Sequence, residues 1–518
     1  MTPHLPVAPL SSRRRPALAG RILTTVVAAM ATAAFDGTSV AASLESDLRS
    51  LVGGAGLGKA KVSVSVREVD DDRALAAIVA DRPMLPASNM KLLTTGAALE
   101  TLGPDFRFST RLGLDRPAAR LVVLGDGDPG FGDPELLDST IHRRPDGSAA
   151  EGLDVEALLA IWADAVANSS PGRIDELVVD DRIFDRDRVH PLWPDDQLNR
   201  HYCAEVAGIN FHGNCLHLRP SPIGGRAVPG PFSPDAPWLA LENRATGRSG
   251  SKPGQTVWIG HGSRTHGGDG LTLFGNVAAT PEEPLRVTAR DPALFFGRLL
   301  ADRLERRGIE VGRVRVAEDG DRFDALVVVA PPVETPLETS LARANVDSSN
   351  LHAEALLKRI VHAETGGPGS WTAADPLVRA HLADRTSGSL LEGVVVSDGS
   401  GLSRGNRVRA DLMTAYLASM ARDPALGDPF RASLAVGGET GTLAKRFRNA
   451  DLRGCRVLAK SGYIRGVSCL SGFVVAPDGR SLAFSVLCND VASVQNAKRL
   501  QERIVERLAR ELTTSNVG

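Results

Sequence analysis

The stretch Leu85-Pro-Ala-Ser-Asn-Met-Lys-Leu-Leu93 places Ser88 and Lys91 three residues apart, at the head of an apolar run that extends to Leu102. This pattern predicts a helix that begins at Ser88 and ends before Gly103-Pro104. Residues three apart share one face of a helix, so the hydroxyl and the amine are expected to be neighbours. A serine becomes a useful nucleophile when a nearby base takes its proton, and Lys91 is placed to be that base.

Two later segments supply further parts of such a site. Ser348-Ser349-Asn350 is predicted to lie in a loop that enters an amphipathic helix over 350–364, and Lys460-Ser461-Gly462 is predicted to end a strand. A second cation disfavours the charged form of an amine, as does desolvation, so Lys460 and burial are both expected to lower the pKa of Lys91. Taken alone, the segment 348–350 is equally well explained as a helix cap, and the segment 460–462 as a strand end. Together, in this order, the three segments indicate an acyl-transfer site.

Length and charge narrow the class of protein. The chain has 518 residues, which suggests two to three domains, and 42% of its residues are hydrophobic, enough for a substantial core. Its 60 Lys and Arg nearly balance its 62 Asp and Glu, for a formal net charge of -2. Nothing in this balance points to nucleic acid, so no nucleic-acid partner is expected.

The first 41 residues have the three-part layout of a secretory signal. Four arginines between positions 13 and 21 precede the charge-free run 22–35, and Ser39-Val40-Ala41 ends in small residues. The run is shorter than the roughly 20 residues that a membrane span needs. We therefore expect 1–41 to be a cleaved signal and the protein to be periplasmic or otherwise extracytoplasmic, with weak or absent membrane association. An uncleaved anchor is the alternative.

The predicted secondary structure and the glycine and proline content change twice along the chain. Segments 42–107 and 339–518 combine amphipathic helices with alternating strands, whereas 108–338 is rich in short β segments, glycine and proline. This predicts one α/β (α+β) domain in two parts, interrupted by large β-rich inserted domains. A smaller subdomain is expected within the insertion at about 136–205.

The chain has five cysteines, an odd number. In an oxidising compartment Cys203 and Cys215 could form a bridge. A two-residue turn at Asp478-Gly479 would place Cys469 opposite Cys488 on neighbouring strands. Five reduced and buried thiols are an equally good interpretation. None of the cysteines has the spacing of a metal-ligand set, and we expect neither a metal nor another cofactor.

The chain resembles the class C low-molecular-mass penicillin-binding proteins, the D-alanyl-D-alanine carboxypeptidase/endopeptidase family. The resemblance is carried by Ser-x-x-Lys at 88–91, Ser-x-Asn at 348–350 and Lys-Ser-Gly at 460–462, with support from Asp398-Gly-Ser-Gly-Leu-Ser-Arg404 and Gly441-Thr-Leu443. It extends over about 43–512. It implies a serine D,D-peptidase/β-lactamase-like domain, an antiparallel sheet flanked by helices, into which the β-rich domains are inserted.

The resemblance also implies roles for individual residues. Ser88 would be the acyl-ester nucleophile and Lys91 its base. Ser348 would carry a proton to the leaving amine, and Asn350 would bind the donor peptide. Lys460 would hold the terminal carboxylate of the substrate and stabilise charge.

A second set of residues would shape substrate binding. Ser461 stands where the family pattern usually has threonine and keeps the hydroxyl that would help to bind the carboxylate. Gly462 would allow close backbone approach, and the N–H of Tyr463 would share the oxyanion with that of Ser88. Arg404 resembles a residue near the donor site. The pair Asp180-Asp181 would meet the amino end of the stem peptide.

The implied function is a serine-type D-alanyl-D-alanine carboxypeptidase/endopeptidase that cleaves peptidoglycan stem peptides or cross-links through a Ser88 acyl-enzyme. β-Lactam antibiotics would acylate the same serine as covalent inhibitors. One alternative is a β-lactamase; against it, Ser88 and Ser348 lie 260 positions apart, and no Glu-x-x-Leu-Asn segment is evident. The other alternative is a catalytically idle cell-wall-binding protein, against which the intact motifs stand.

Overall fold

The computed structural model describes residues 34–137, 142–143, 149–150, 152–169, 171–247, 256–261, 270–324 and 326–514. The predicted export signal lies outside these residues apart from 34–41, which belong to the first helix. None of the helices in the described ranges combines the length and the apolar character that crossing a bilayer requires.

Some of the helices begin or end where a side chain or a glycine satisfies the terminal backbone groups. Asp154 and Asp291 cap α4 and α5, Ser349 caps α7, and Gly366 ends α7 in the left-handed conformation. The described residues form these α-helices: α1 Ala34–Gly53, α2 Met90–Leu102, α3 Pro134–Leu137, α4 Val155–Asn168, α5 Pro292–Glu305, α6 Leu337–Asn345, α7 Asn350–Thr365, α8 Ala374–Arg385, α9 Ala410–Arg422, α10 Gly427–Ala432 and α11 Val494–Thr514.

The strands fall into one sheet built from the two ends of the chain and several built from its middle. They are β1 Lys61–Glu68, β2 Ala74–Ile78, β3 Arg107–Asp115, β4 Arg120–Leu124, β5 His142–Arg143, β6 Ala149–Ala150, β7 Arg173–Asp180, β8 Cys215–Leu218, β9 Ser221–Ile223, β10 Arg226–Val228, β11 Phe232–Ser233, β12 Leu241–Asn243, β13 Thr246–Gly247, β14 Trp258–His261, β15 Leu271–Phe274, β16 Asn276–Val277, β17 Leu285–Thr288, β18 Glu310–Val316, β19 Val327–Val328, β20 Val333–Pro336, β21 Ala435–Val436, β22 Arg456–Ile464, β23 Val467–Val475 and β24 Ser481–Asn489.

The main sheet has the order β2-β1-β24-β23-β22-β21, and every neighbouring pair in it is antiparallel. Leu44 and Leu48 of α1 and Ile504 of α11 pack against one face in a shared hydrophobic cluster. On the other face, Ser65 of β1 hydrogen-bonds Thr414 of α9. The predicted antiparallel sheet flanked by helices is therefore confirmed.

The register of the last hairpin differs from the two-residue turn considered above. Residues 476–480 form the connection, so Cys469 pairs with Leu487, and Cys488 pairs with Ser468. Because side chains alternate between faces, this shift of one residue places Cys469 and Cys488 on opposite faces of the sheet. The two thiols cannot form the bridge considered for them. All five cysteines, Cys203 and Cys215 included, are buried free thiols.

The middle of the chain builds a second sheet with the order β18-β7-β4-β3-β19, in which β18, β7 and β4 run parallel. Its entry strand β3 pairs with its exit strand β20, so the chain leaves and rejoins the main domain at one place. Strand β7 lies inside this sheet, between β18 and β4, and α4 packs against α5 in the same hydrophobic cluster. The stretch 136–205 contributes α4 and β7 to this sheet and its hydrophobic cluster, and the smaller subdomain expected there stays a prediction.

Part of the insertion packs into the main domain. Phe184, Trp193, Cys203 and Val206 are buried in the same hydrophobic cluster as α2, α7 and α9. His190 Nε2 also lies 2.9 Å from the Ser397 carbonyl oxygen. The segment 183–206 therefore forms one wall of the helical core beside the candidate site.

A tight contact between α2 and α9 gives a test of this core. A Cβ at Gly96 would lie 2.0 Å from the hydroxyl oxygen of Tyr416, a fully buried ring. Alanine gains about 1 kcal/mol over glycine in helix propensity, but overpacking a core costs about 1–3 kcal/mol. Because the contact would be so short, we expect Gly96→Ala to lower the melting temperature, measured by circular dichroism.

The matched control is Gly53→Ala at the end of α1, where an added Cβ meets nothing within 4 Å. That variant should melt like the unmodified protein or slightly above it. Adding Tyr416→Phe to Gly96→Ala removes the clashing oxygen and should recover part of the loss. An unchanged melting temperature for Gly96→Ala would contradict this packing.

Candidate active site

Ser88 lies at the junction of the main sheet and the helical layer. It belongs to the 3₁₀ turn Ala87–Asn89, and α2 begins only at Met90, two residues later than predicted. Asn89 anchors this turn to the sheet, because its side-chain amide donates to Ser471 Oγ at 2.6 Å. Ser88 itself is half-buried, so its hydroxyl is held at the floor of a crevice that solvent can reach.

Lys91 is fully buried beneath Ser88. Its Nζ lies 3.2 Å from Ser88 Oγ, 2.7 Å from Asn350 Oδ1 and 2.9 Å from the Ser400 carbonyl oxygen. Burial lowers the pKa of Lys91 to about 8. Of the two causes expected from the sequence, desolvation is the largest contributor to this shift. The nearby carboxylates of Glu354 and Asp398 act in the opposite direction.

Lys460 and Ser348 form a second pair of amine and hydroxyl. Lys460 Nζ donates to Ser348 Oγ at 2.9 Å and to the Ser461 carbonyl oxygen at 2.8 Å. Burial, and after it the charge of Lys91, lower the pKa of Lys460 well below its ordinary value. Ser348 has a φ of 63°, a left-handed backbone conformation that is uncommon for any residue except glycine. Such strain often marks a functional position.

Asn350 links the two sides of the crevice. Its Oδ1 accepts from Lys91, while its Nδ2 donates to the Tyr202 carbonyl oxygen at 2.8 Å. Tyr202 belongs to the 3₁₀ turn His201–Cys203 of the insertion. A donor on one side and an acceptor on the other fix the orientation of the Asn350 amide. The sequence pointed to Asn350 but not to its partner in the insertion.

Strand β22 forms the opposite wall. Ser461 Oγ donates to Thr442 Oγ1 at 3.0 Å, so two hydroxyls lie together at the mouth of the crevice. A Cβ at Gly462 would lie 2.9 Å from the Pro86 carbonyl oxygen and 3.1 Å from Ser88 N. Only glycine lets the strand approach the Ser88 turn this closely. The side chain of Tyr463 is 60% exposed.

The remaining predicted residues lie apart from this cluster. Arg404 is on the rim, where its guanidinium donates to the Arg465 carbonyl oxygen at 3.1 Å. Asp180 is paired with Arg182 at 2.8 Å. Asp181 is 2% exposed and is bound by Arg188 at 3.1 Å. Both carboxylates at the end of β7 are therefore occupied by arginines of the insertion, and neither shows a contact with the residues around Ser88.

Two further residues of the site carry no role in the sequence motifs. Glu354 and Asp398 are fully buried carboxylates on the far side of Lys91. Glu354 is buried on α7 together with His352 and Lys358, and Asp398 begins the supporting stretch that ends at Arg404. A charged residue at a core position of an amphipathic helix was the one available signal for Glu354.

The arrangement suits nucleophilic acyl transfer by side chains. A hydroxyl lies beside an amine of lowered pKa, and a second amine and hydroxyl pair faces the same crevice. Within the described ranges, no group of three or more His, Cys, Asp or Glu side chains is arranged to hold a metal ion.

Comparisons with known proteins agree with this geometry. The D-Ala-D-Ala carboxypeptidase 3 (S13) family model matches residues 44–511. A D-alanyl-D-alanine carboxypeptidase from Actinomadura sp. is 33% identical over 449 residues, which is 82% of this chain and 77% of the relative. Carboxypeptidase DacB from Mycolicibacterium smegmatis is 25% identical over 413 residues, which is 79% of this chain and 72% of the relative.

The fold has a counterpart among solved structures. Penicillin-binding protein 4 from Haemophilus influenzae superposes with a TM-score of 0.66 at 19% identity, covering 89% of this chain and 99% of that chain. The same protein in complex with a β-lactam gives a TM-score of 0.65. These likenesses extend through the insertion as well as the main domain. The chain therefore belongs to the D-Ala-D-Ala carboxypeptidase 3 (S13) family, and the resemblance drawn from its three motifs is confirmed.

Proposed function

We propose that this protein is a serine D-alanyl-D-alanine carboxypeptidase that acts on peptidoglycan stem peptides through an acyl-enzyme on Ser88. One observation carries the proposal: Lys91 lies 3.2 Å from Ser88 Oγ, and Lys460 lies 2.9 Å from Ser348 Oγ. Membership of the family and the 33% identity to a D-alanyl-D-alanine carboxypeptidase support it.

Acylation begins at Ser88. Neutral Lys91 takes the hydroxyl proton as Ser88 Oγ attacks the carbonyl carbon of the D-Ala–D-Ala bond. The tetrahedral oxyanion is held by the backbone N–H groups of Ser88 and Tyr463, because Gly462 lets β22 approach the turn so closely. Removing one such donor typically costs roughly 3–4 kcal/mol of barrier.

Collapse of this intermediate needs a proton on the leaving nitrogen. Ser348 Oγ accepts from Lys460, so its own hydrogen is free to point to the departing amine. Ser348 donates this proton, the C–N bond breaks and D-alanine leaves, while the acyl group stays on Ser88. The proton held by Lys91 returns through the Ser348 hydroxyl. Water then attacks the ester by the same proton path and regenerates Ser88.

The carboxylate of the terminal D-alanine needs a cationic and hydroxyl-lined pocket. Lys460 supplies the positive charge, because a bound carboxylate favours its ammonium form, and Ser461 and Thr442 place two hydroxyls 3.0 Å apart beside it. Asn350 binds the donor peptide from the opposite wall. β-Lactams carry a carboxylate next to a reactive amide in the same way, which is why they are expected to acylate Ser88.

Replacing the nucleophile gives the direct test. We expect Ser88→Ala to abolish covalent labelling by a fluorescent penicillin and to stop release of D-alanine from a pentapeptide substrate. The alanine variant keeps the fold, because Ser88 Oγ has no partner except Lys91 among the hydrogen bonds of the site. Labelling is measured on denaturing gels and D-alanine by mass spectrometry. Cross-linked dimers assayed in parallel test for endopeptidase activity.

The matched control is Ser349→Ala, which removes the cap of α7 next to Ser348. Loss of such a cap costs about 1 kcal/mol of stability, but labelling should persist. Retained labelling of Ser88→Ala would refute the assignment of the nucleophile. A label lost within seconds, with recovery of free enzyme, would indicate a β-lactamase instead.

The protonation state of Lys91 sets the pH dependence. Only the neutral amine can accept the Ser88 proton, and burial lowers its pKa to about 8 from the ordinary value of 10.5. The rate of penicillin acylation should therefore rise with pH, with a midpoint near 8, and level off above it. Labelling rates between about pH 6 and about pH 10 check this, after subtraction of spontaneous penicillin hydrolysis. A rate that is flat, or still rising at the highest pH, would contradict the assignment of Lys91 as base.

We further propose that 1–41 directs export and that the protein works outside the cytoplasm, where peptidoglycan lies. The arginines, the apolar run and the small residues that end at Ala41 support this. The isolated protein is expected in the extracytoplasmic fraction with an amino terminus near residue 42, measured by mass spectrometry. A variant with Val26→Asp and Val27→Asp should keep residues 1–41 and remain in the cytoplasm. An unprocessed native protein in the cytoplasm would contradict the proposal.

A further inference from the structure

Glu354 and Asp398 are two fully buried carboxylates that the proposed reaction does not use. Neither contacts Lys91 directly. Instead, both accept hydrogen bonds from backbone N–H groups of the loop 398–401, whose Ser400 carbonyl oxygen accepts from Lys91. The loop thus stands between the carboxylates and the amine.

Asp398 acts on the peptide unit that touches Lys91. The N–H of Gly401 donates to Asp398 Oδ1 at 2.8 Å, and the carbonyl of the same unit, that of Ser400, accepts from Lys91 Nζ at 2.9 Å. A carboxylate on the N–H of a peptide polarises its carbonyl and makes the oxygen a stronger acceptor. Asp398 therefore strengthens the bond to the amine through one peptide group.

Glu354 holds the preceding peptide units. Its Oε1 accepts from Ser400 N at 2.8 Å, and its Oε2 accepts from Gly399 N at 2.9 Å and from Trp371 Nε1 at 2.8 Å. The Gly399 carbonyl oxygen in turn accepts from Thr94 Oγ1 at 2.8 Å. The loop is thus fixed from both sides: its N–H groups face the carboxylates and its carbonyls face α2.

The loop is also packed against the turn that carries Ser88. Gly401 has a φ of +83°, and a Cβ at this position would lie 1.8 Å from the Ala87 carbonyl oxygen. Only glycine allows this approach. Any shift of the loop would therefore reach both the amine of Lys91 and the nucleophile next to Ala87.

The number of acceptors around Lys91 matters for its chemistry. A neutral amine has two N–H bonds and one lone pair. Asn350 Oδ1 at 2.7 Å and the Ser400 carbonyl oxygen at 2.9 Å can take the two N–H bonds. The lone pair is then left for the hydrogen of Ser88, whose Oγ lies 3.2 Å away. If the Ser400 carbonyl moved, the amine could rotate and the lone pair would no longer be aimed.

We propose that Glu354 and Asp398 are positioning residues, which hold the Ser400 carbonyl on the Lys91 amine and so aim its lone pair at Ser88. The inference rests on the proposed function of Lys91 as the base. It extends that function to a pair of residues that never touch the substrate.

The carboxylates also affect when Lys91 is neutral. Both favour its ammonium form and oppose the lowering of its pKa by burial. Burial, and after it the charge of Asp398, raise the pKa of Glu354 to about 7, so Glu354 is ionised where Lys91 titrates. The other charged or titratable groups that face this cluster are Lys460 from β22, Lys358 from α7 and His190 from the insertion.

The test uses Glu354→Gln and Asp398→Asn, each of which removes one charge. The chain has only eight lysines, so the 13Cε signals of labelled lysine can be followed through a pH titration, with Lys91 assigned from a Lys91→Arg variant. We expect the midpoint of Lys91 to fall by about one pH unit in each variant. The rise of the penicillin acylation rate with pH should shift to lower pH by the same amount. The maximal acylation rate at high pH should fall about tenfold, because the amine is less well aimed.

Thr94→Val is the matched control, because it removes a hydrogen bond to the same loop without changing charge. The maximal acylation rate of this variant can fall, but its Lys91 titration midpoint should match that of the unmodified protein. The nuclear magnetic resonance titration needs no catalysis, so it tests the effect of the carboxylates on Lys91 even if Ser88 is not acylated. A failure of Ser88 to be acylated would refute the proposed function separately. An unchanged Lys91 midpoint in either charge-removing variant, with the fold intact by circular dichroism, would overturn the inference.

Discussion

Two lysine amines, those of Lys91 and Lys460, are completely buried in one crevice, and the surrounding structure compensates for this. Removing an ammonium from water costs several kcal/mol unless acceptors or opposite charges replace the hydration. Lys91 receives three oxygen acceptors and Lys460 receives two. The same burial lowers both pKa values. The cost of desolvation is therefore also what makes an amine available as a base near neutral pH.

These acceptors come from parts of the chain that are far apart in sequence. The Ser88 turn, α7 and β22 bring the two amines and the two hydroxyls together, and Gly462 sets how closely the walls approach. The insertion completes the site, because the Tyr202 carbonyl orients Asn350 and the Trp193 indole donates to Asp398 at 2.9 Å. The insertion is therefore a working part of the site as well as an addition to the fold.

Local patterns predicted much of this structure. The spacing of Ser88 and Lys91 and the helix predicted over 350–364 depend on near neighbours, which a single sequence displays. Features that depend on long-range packing were missed. The register of Cys469 follows from the length of one loop, and the role of Glu354 follows from a loop that packs against α7 from 45 positions away. The pair Asp180-Asp181 is the exception, because Arg182, Arg186 and Arg188, which hold it, follow closely in the sequence.

The central claim is that two amine and hydroxyl pairs from distant segments act on one carbonyl. A crystal structure of the protein after reaction with penicillin tests it most directly. The account predicts an ester on Ser88 Oγ, with the penicillin carboxylate beside Lys460, Ser461 and Thr442 and the Ser348 hydroxyl facing the former lactam nitrogen. An adduct on another side chain, or a carboxylate bound away from Lys460, would contradict it.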